Sequence, residues 1–123
     1  MVFGVKIMKI KELISIIDGE IVYGEDFIDN EVFSACGSDM MSDVLAFVKE
    51  QAVMLTGLVN PQVVRTAEMM DMKCIVFVRG KRPDMSMIDL AQERDIVLVC
   101  TGLEMFTACG KLYENGLRGA SGK

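Results

Sequence analysis

CIVFVRGKRPDMSMIDLAQERDIVLVCTG, residues 74–102, holds two apolar segments on either side of a helical pattern. The segments CIVFV (74–78) and IVLVC (96–100) are short, uniformly apolar and rich in Val and Ile. Such segments are typical of strands in a parallel sheet that is covered on both faces. Between them a helix is predicted from about Asp84 to Arg94. Strand, helix and strand in this order predict a right-handed crossover.

The same alternation continues on both sides of this stretch. AVMLT (52–56) predicts an earlier strand, which a helix from about Pro61 to Met70 follows. Beyond the last strand, a helix is predicted from about Gly102 to Asn115. The first half is less regular. It adds two predicted strands, at 19–24 and 32–36, and two predicted helices, at 9–17 and 40–48. We therefore predict a three-layer α/β/α sandwich around a mostly parallel sheet of about five strands.

A single domain is predicted for the 123 residues, since no low-complexity linker divides them. Met8 begins the more ordinary start MKIKEL, so residues 1–7 are predicted to be a disordered extension and residues 8–117 the α/β domain. Residues 118–123 (RGASGK) have no evident means of packing, which predicts a disordered tail.

Composition and charge exclude several classes of protein. The chain is 51% hydrophobic and 25% charged, which is typical of a globular protein. No apolar run approaches the ~18–20 residues of a membrane span, and the start lacks the layout of a signal peptide. We therefore predict a cytoplasmic protein with no membrane partner. The net charge of −5 argues against nucleic-acid binding, which depends on a basic surface.

The residues that most catalytic and metal sites need are missing. The chain contains no histidine, which excludes the commonest general base and zinc sites with imidazole ligands. Its four cysteines form no C-x-x-C pair and have apolar neighbours, so we predict buried structural thiols, no metal and no cofactor. Neither G-x-x-x-x-G-K-[ST] nor G-x-G-x-x-G occurs. Asp39 and Asp43 share a helix face, but first-turn acids more often complement the helix dipole, so we predict no catalytic residue and no enzyme.

Polar residues and glycines follow several of the predicted strands. The carboxyl ends of parallel strands meet at one edge of a sheet, where ligands of α/β proteins bind. The residues predicted to bind a ligand at this edge are Asp39, Thr56, Gly57, Asn60, Arg79, Gly80 and Thr101. Gly57 and Gly80 are expected to offer backbone N–H groups to an anion, and Thr56 a hydroxyl. Arg79 is expected to provide charge, since arginine binds carboxylate or phosphate through paired hydrogen bonds.

Each part of this edge has a structural alternative. Thr101-Gly102-Leu103-Glu104 has the T-x-x-E form of a capping box, which favours a helix cap over an anion site. Thr56-Gly57 lacks such an acid and is the better candidate for an anion site. The basic loop RGKR (79–82) also fits a purely solvated role.

Five segments together resemble the DRTGG domain family. They are LTGLVNPQVVRTAE (55–68), CIVFVRGKRPD (74–84), IDLAQERDI (88–96), MFTACGKLYENGL (105–117) and GSDMMSDVLAF (37–47). The resemblance is to the small stand-alone members and covers the chain from about Met8, although the string Asp-Arg-Thr-Gly-Gly is absent. It implies a fold like that of the N-terminal domain of HPr kinase/phosphorylase. Kinase activity is not implied, because the phosphate loop is missing.

The resemblance also implies a function. In larger proteins of the family the domain accompanies nucleotide-sensing CBS domains and looks regulatory and dimer-forming, and stand-alone versions tend to be encoded beside iron-only hydrogenases. We therefore expect a self-associating, non-enzymatic regulatory module that binds a small anionic metabolite or nucleotide at the strand-end loops. The alternative is a pure protein–protein assembly module without a ligand, associated with hydrogenase systems or another regulatory protein. In either case a homodimer is expected.

Overall fold

The computed structural model describes residues 7–48 and 51–120. Within these ranges the strands are β1 (Met8–Lys9), β2 (Glu20–Tyr23), β3 (Glu31–Val32), β4 (Ser34–Gly37), β5 (Ala52–Thr56), β6 (Cys74–Phe77) and β7 (Val97–Cys100). The helices are α1 (Ile10–Ile16), α2 (Met41–Phe47), α3 (Pro61–Met69), α4 (Met85–Arg94) and α5 (Met105–Glu114). None of these helices is both long and apolar enough to cross a membrane.

Five strands form the central sheet, in the order β2-β7-β6-β5-β4. The four strands β4 to β7 are parallel, and β2 is added antiparallel to β7 at one edge. The register places Met54 beside Ile75 and Val76 beside Val99. This mostly parallel five-stranded sheet with helices around it confirms the predicted fold class.

The two faces of the sheet are covered by different helices. Because β4, β5, β6 and β7 follow one another across the sheet, right-handed crossovers place α2, α3 and α4 on the same face. Met54, Phe77 and Leu98 belong to the core on that side. Val53 and Val76, which point the other way, pack in the second core with residues of α1 and α5. Both faces are buried, which explains why these strands are uniformly apolar.

The ends of two helices follow from local sequence. The side-chain oxygen of Asn60 accepts a hydrogen bond from the N–H of Gln62 at 2.8 Å, and Pro61 occupies the first turn of α3. Gly116 follows α5 with a φ of 110°, in the left-handed region that glycine tolerates. Both features depend only on residues adjacent to the helix end.

The predicted strand 32–36 is wrong as a single element. The structure divides it into β3, which pairs antiparallel with β1, and β4, which pairs parallel with β5. Phe33 lies between the two and is exposed. The division arises because the two halves hydrogen-bond to different partners. The β1–β3 pair was not predicted, since two-residue strands carry no periodicity.

Residues 118–120 are part of the fold, so the predicted disordered tail is wrong for them. The N–H of Ala35 donates to the carbonyl of Arg118 at 2.9 Å, and the N–H of Ala120 donates to the carbonyl of Ala35 at 3.0 Å. The side chain of Ala120 is buried. The physical reason is that β4 is an edge strand, whose unpaired backbone groups bind a passing segment. The rest of the predicted tail, 121–123, and residues 1–6 of the predicted extension lie outside the described residues.

Candidate functional site

The loops that leave β4, β5, β6 and β7 lie together at the carboxyl edge of the sheet. Backbone hydrogen bonds join neighbouring loops there. The N–H of Ser38 donates to the carbonyl of Leu55 at 3.0 Å, and the N–H of Val78 donates to the carbonyl of Thr56 at 3.0 Å. We call these loops the strand-end loops. Six of the seven residues predicted to bind a ligand lie in them or at the last residue of β5, and Asn60 lies just beyond as the cap of α3.

The carboxylate of Asp39 organises the exit of β5. One of its oxygens accepts hydrogen bonds from the Thr56 hydroxyl at 3.0 Å and from the Gly57 N–H at 2.7 Å. The Thr56 hydroxyl also accepts from the N–H of Leu58 at 3.1 Å. Thr56 and Gly57 therefore use their donors within the chain. In this structure neither donor is free for an anion, because the Asp39 carboxylate accepts both, and a contact of these two residues with a ligand stays a prediction.

Arg79 and Gly80 form a tight turn at the exit of β6. Both have positive φ, 58° and 71°, and the N–H of Lys81 donates to the carbonyl of Val78 at 3.1 Å. This is the pattern of a type I′ turn. The N–H groups of Arg79 and Gly80 donate to the carbonyls of Leu103 and Thr101, at 2.8 and 2.9 Å. The Gly80 N–H is therefore not free in this structure either, and a contact of Gly80 with a ligand stays a prediction.

The side chain of Arg79 reaches across to the exit of β5. A Cβ atom added to Gly57 would lie 2.7 Å from the Arg79 Nη2, so the guanidinium packs directly on this glycine. Among residues 7–48 and 51–120, Arg79 forms no ion pair within 4.0 Å. Gly57 thus contacts Asp39 through its N–H and Arg79 through its Cα. A Cβ atom at residue 57 would displace the Arg79 guanidinium, so glycine at this position is what allows Arg79 to keep the contact.

Arg82, in the same basic loop, has a partner. Its two terminal nitrogens bind the two carboxylate oxygens of Glu20 at 3.1 and 3.2 Å. This pairing with Arg82 lowers the pKa of the Glu20 carboxyl below its ordinary value. Glu20 lies at this edge because β2 is antiparallel to β7 and begins beside Cys100. This pair was not predicted, because its members are 62 residues apart along the chain.

Thr101 has a structural role, but it does not cap α5. Its hydroxyl donates to the carbonyl of Ile17 at 2.7 Å and accepts from the N–H of Leu103 at 3.2 Å. The cap residue of α5 is Glu104, whose side chain makes no capping hydrogen bond. The predicted capping box is therefore wrong. The buried Thr101 hydroxyl binds the end of α1 instead, and α5 begins at Met105, three residues beyond the predicted Gly102.

Burial determines the state of the cysteines. Cys74 and Cys100 are buried, and Cys36 and Cys109 are half-buried. Burial raises the pKa of all four thiols, most strongly that of the fully enclosed Cys74. A raised pKa keeps a thiol protonated and unreactive. In the part of the chain that the structure describes, no three Cys, Asp or Glu side chains are grouped so that they could hold a metal ion.

A concavity of about 570 Å³ lies away from the strand-end loops, against the ends of α3 and α4 and the starts of β6 and β7. Its lining includes Glu68 and Arg94, which form an ion pair at 2.8 Å, and Asp71 and Lys73, which pair at 3.2 Å. Both positively charged side chains of this lining, Lys73 and Arg94, are therefore paired with acids. The strand-end loops differ because Arg79 remains unpaired among the described residues.

Comparison with known proteins defines the class of the fold. No family model and no curated protein matches the chain. Among solved structures, it is similar to the CBS and DRTGG domains of the regulatory region of Clostridium perfringens pyrophosphatase, complexed with the activator diadenosine tetraphosphate. The TM-score is 0.70 at 15% sequence identity, over 85% of this chain.

The match covers 45% of the pyrophosphatase chain, so this chain spans less than half of its length. At this identity the likeness shows the fold alone. The chain has a DRTGG-like α/β fold.

Proposed function

We propose that this chain is a non-enzymatic regulatory module that self-associates and binds a small anionic metabolite or nucleotide at the strand-end loops. Arg79 carries the proposal. Its guanidinium lies on Gly57 at the carboxyl edge of the sheet, where α/β proteins bind ligands, and it has no ion-pair partner among the described residues. A guanidinium held in this way is suited to bind a carboxylate or phosphate through paired hydrogen bonds.

The backbone at Arg79 supports this role. Glycines apart, the other residues with positive φ in the ranges 7–48 and 51–120 are the aspartates Asp18, Asp71 and Asp95, a residue type that tolerates the left-handed region. The left-handed conformation costs an arginine about 1 kcal/mol of stability. Asparagine or glycine at the same position would reduce this cost. One hydrogen bond from the N–H of Arg79 and one from the N–H of Gly80 to the loop after β7 hold the turn in this conformation. Strain that the surroundings maintain in this way is concentrated at functional positions.

The structural neighbour supports the regulatory part of the proposal. That neighbour is a regulatory region, complexed with a nucleotide activator. We extend regulation, and the nucleotide class of ligand, to this chain as a proposal based on the shared fold and on Arg79. The non-enzymatic part rests on the sequence, which contains neither a phosphate loop nor a histidine.

A thermal-shift panel of nucleotides, phosphorylated metabolites and carboxylated metabolites tests the proposal. A ligand at a hundred times its dissociation constant stabilises the native state by about 2.7 kcal/mol, which raises the melting temperature on the order of 10 °C. Arg79→Gln is expected to abolish the shift. Lys81→Gln, an exposed change in the same loop, is the matched control and is expected to retain it. A hit that Arg79→Gln leaves unchanged would refute this site.

A pure assembly module is the second candidate, and exposed apolar side chains favour it. Phe106 at the start of α5 is 87% exposed, Met85 at the start of α4 is 66% exposed, and Met40 just before α2 is 60% exposed. All three lie at the carboxyl edge, where a partner that covered them would remove their apolar surface from water. The partner is a second copy of the chain or, as the family resemblance implies, a component of an iron-only hydrogenase system.

Sedimentation velocity of the wild-type chain and of Phe106→Asp separates the two candidates. An assembly module without a ligand gives no hits in the panel and a dimer that Phe106→Asp dissociates. A ligand-binding module gives hits that Phe106→Asp leaves in place. A wild-type chain that sediments as a monomer at all concentrations would refute self-association in both.

A further inference from the structure

The carboxylate of Asp39 is a fixed group with one oxygen in use. The Thr56 hydroxyl and the Gly57 N–H both donate to Oδ1, and Thr56 is itself fully buried, so the core holds the carboxylate in place. In the described ranges, no group donates a hydrogen bond to Oδ2. The residue is exposed. Asp39 therefore presents a rigid acceptor to a group from outside the chain.

Arg79 presents the opposite charge beside it. Asp39 binds the N–H of Gly57, and the Arg79 guanidinium packs on the Cα side of the same residue. The two charged side chains share this glycine but form no ion pair with each other. Asp39 and Arg79 thus place an acceptor and a cation on the two sides of Gly57, and both side chains keep hydrogen-bonding capacity.

The backbone of these loops adds no simple anion cradle. The N–H groups of Gly57, Arg79 and Gly80 all donate within the chain. Recognition at this place therefore depends on the side chains of Asp39 and Arg79. An anion that has no donor group meets the attraction of Arg79 together with the repulsion of Asp39, so a simple anion is a poor ligand.

We propose that the strand-end loops bind a small molecule that carries an amine or hydroxyl group beside its anionic group. The donor group binds Oδ2 of Asp39, and the anionic group binds the guanidinium of Arg79. Two sources have this chemistry: an α-amino acid, through its ammonium and carboxylate, and a nucleotide, through its ribose hydroxyls and phosphate. This inference rests on the proposed function and specifies the ligand of that same site.

Apolar side chains beside the two charged groups fit the remainder of such a molecule. Met40 follows Asp39 directly and is 60% exposed, and Val59 lies two residues after Gly57 and is 37% exposed. An aliphatic side chain or a nucleobase would cover them. The three-carbon thioether chain of methionine adapts to either shape.

Binding titrations with matched pairs of compounds test the inference. The panel contains the common amino acids and the nucleoside monophosphates. Each hit is repeated with an analogue that lacks only the donor, such as 4-methylpentanoate for leucine or 2′,3′-dideoxy-AMP for AMP. The dissociation constant of the intact compound is expected to be lower than that of its analogue by a factor of about ten or more, because each analogue leaves Asp39 without its hydrogen-bond donor. Which pair responds identifies the source.

Two variants complete the test. Asp39→Asn keeps an oxygen for Thr56 and Gly57, so the fold is expected to persist, but it removes the negative charge. It is expected to weaken the intact ligand about tenfold and to remove the difference from the analogue. Asp43→Asn, which changes an exposed acid in the first turn of α2, is the matched control. It is expected to change neither the affinity for the intact ligand nor the difference from the analogue.

The outcomes separate this inference from the proposed function. Inorganic phosphate or simple carboxylates that bind as tightly as the intact compounds would overturn the inference and leave the Arg79 site in place. The inference would also be overturned, with the Arg79 site left in place, if Asp39→Asn bound simple anions more tightly than the wild type does and bound the intact ligand as tightly as the wild type does. No binding to any member of the wider panel would refute both.

Discussion

Thr56-Gly57-Leu58 and Thr101-Gly102-Leu103 are the same three residues at equivalent ends of two parallel strands. In both, the threonine hydroxyl accepts from the N–H of the leucine, at 3.1 and 3.2 Å. The local turn is therefore repeated. The difference lies in the acceptor of the threonine hydroxyl, which is the carboxylate of Asp39 for Thr56 and the backbone carbonyl of Ile17 for Thr101.

The glycines differ in the same way. Gly57 is covered by the guanidinium of Arg79, whereas a Cβ atom on Gly102 would have no atom within 4 Å. The turn at Thr56 and Gly57 therefore contacts two charged side chains, whereas the turn at Thr101 and Gly102 is hydrogen-bonded to the end of α1. The comparison teaches that identical local sequence produces identical local hydrogen bonds, while neighbours distant in sequence decide between a ligand site and a structural tie.

Replacing the two threonines by valine has the largest expected effect. Thr101→Val leaves the carbonyl of the buried Ile17 without its donor, which is expected to destabilise the fold by about 2 kcal/mol. Thr56→Val is expected to cost about 1 kcal/mol, since water can replace the hydroxyl at the exposed Asp39. Urea denaturation measures both. The serine variants, which keep the hydroxyl, are the controls, and equal losses for the two valine variants would contradict the comparison.

Removing the Asp39 carboxylate affects one copy of the turn alone. Asp39→Ala is expected to lower the free energy of unfolding by about 1 kcal/mol, because the Thr56 hydroxyl and the Gly57 N–H lose a charged acceptor in a solvent-accessible place. Asp43→Ala is the control and is expected to cost less. Chemical denaturation at neutral pH is the measurement. A loss no larger than that of the control would show that Asp39 does not organise the loop.

Adding a methyl group to each glycine sharpens the contrast. Gly57→Ala places a Cβ against the flexible end of Arg79, which is expected to move at a cost within about 0.5 kcal/mol. The moved guanidinium is expected to lose the ligand of the proposed site. Gly102→Ala is expected to leave both stability and binding unchanged. Melting temperatures with and without ligand check both variants, and equal ligand shifts would place the ligand elsewhere.

The Glu20–Arg82 pair, beside the second copy of the turn, predicts a small pH effect. Arg82 lowers the pKa of Glu20, so the pair stabilises the fold above the ordinary pKa of a glutamate. This contribution is lost as the pH falls through the lowered value. Arg82→Gln is therefore expected to be less stable than the wild type at neutral pH and equally stable in strong acid. Both side chains are exposed, so the difference is expected to be the smallest of the four.

Strand and helix positions in the second half of the chain were predictable because burial on both faces leaves a continuous apolar pattern. β5 matches the predicted 52–56, and α3 begins at the predicted Pro61. The first half was harder, because β3 and β4 belong to different sheets yet adjoin in sequence. Residues 118–120 were missed because backbone pairing with an edge strand does not depend on apolar side chains.

The sequence by itself determined the alternation of strands and helices, the cap of α3 and the residues that gather at the carboxyl edge. These depend on periodicity and on local hydrogen bonds, which short segments specify. Only the tertiary structure decided which hydrogen-bond donors at the carboxyl edge of the sheet remain available to a ligand. It joined Asp39 to Thr56 and Gly57, brought Arg79 onto Gly57, and tied Thr101 to Ile17 across 84 residues of sequence. The physical reason is that a hydrogen-bonding group binds whichever partner the packed strands and helices place beside it.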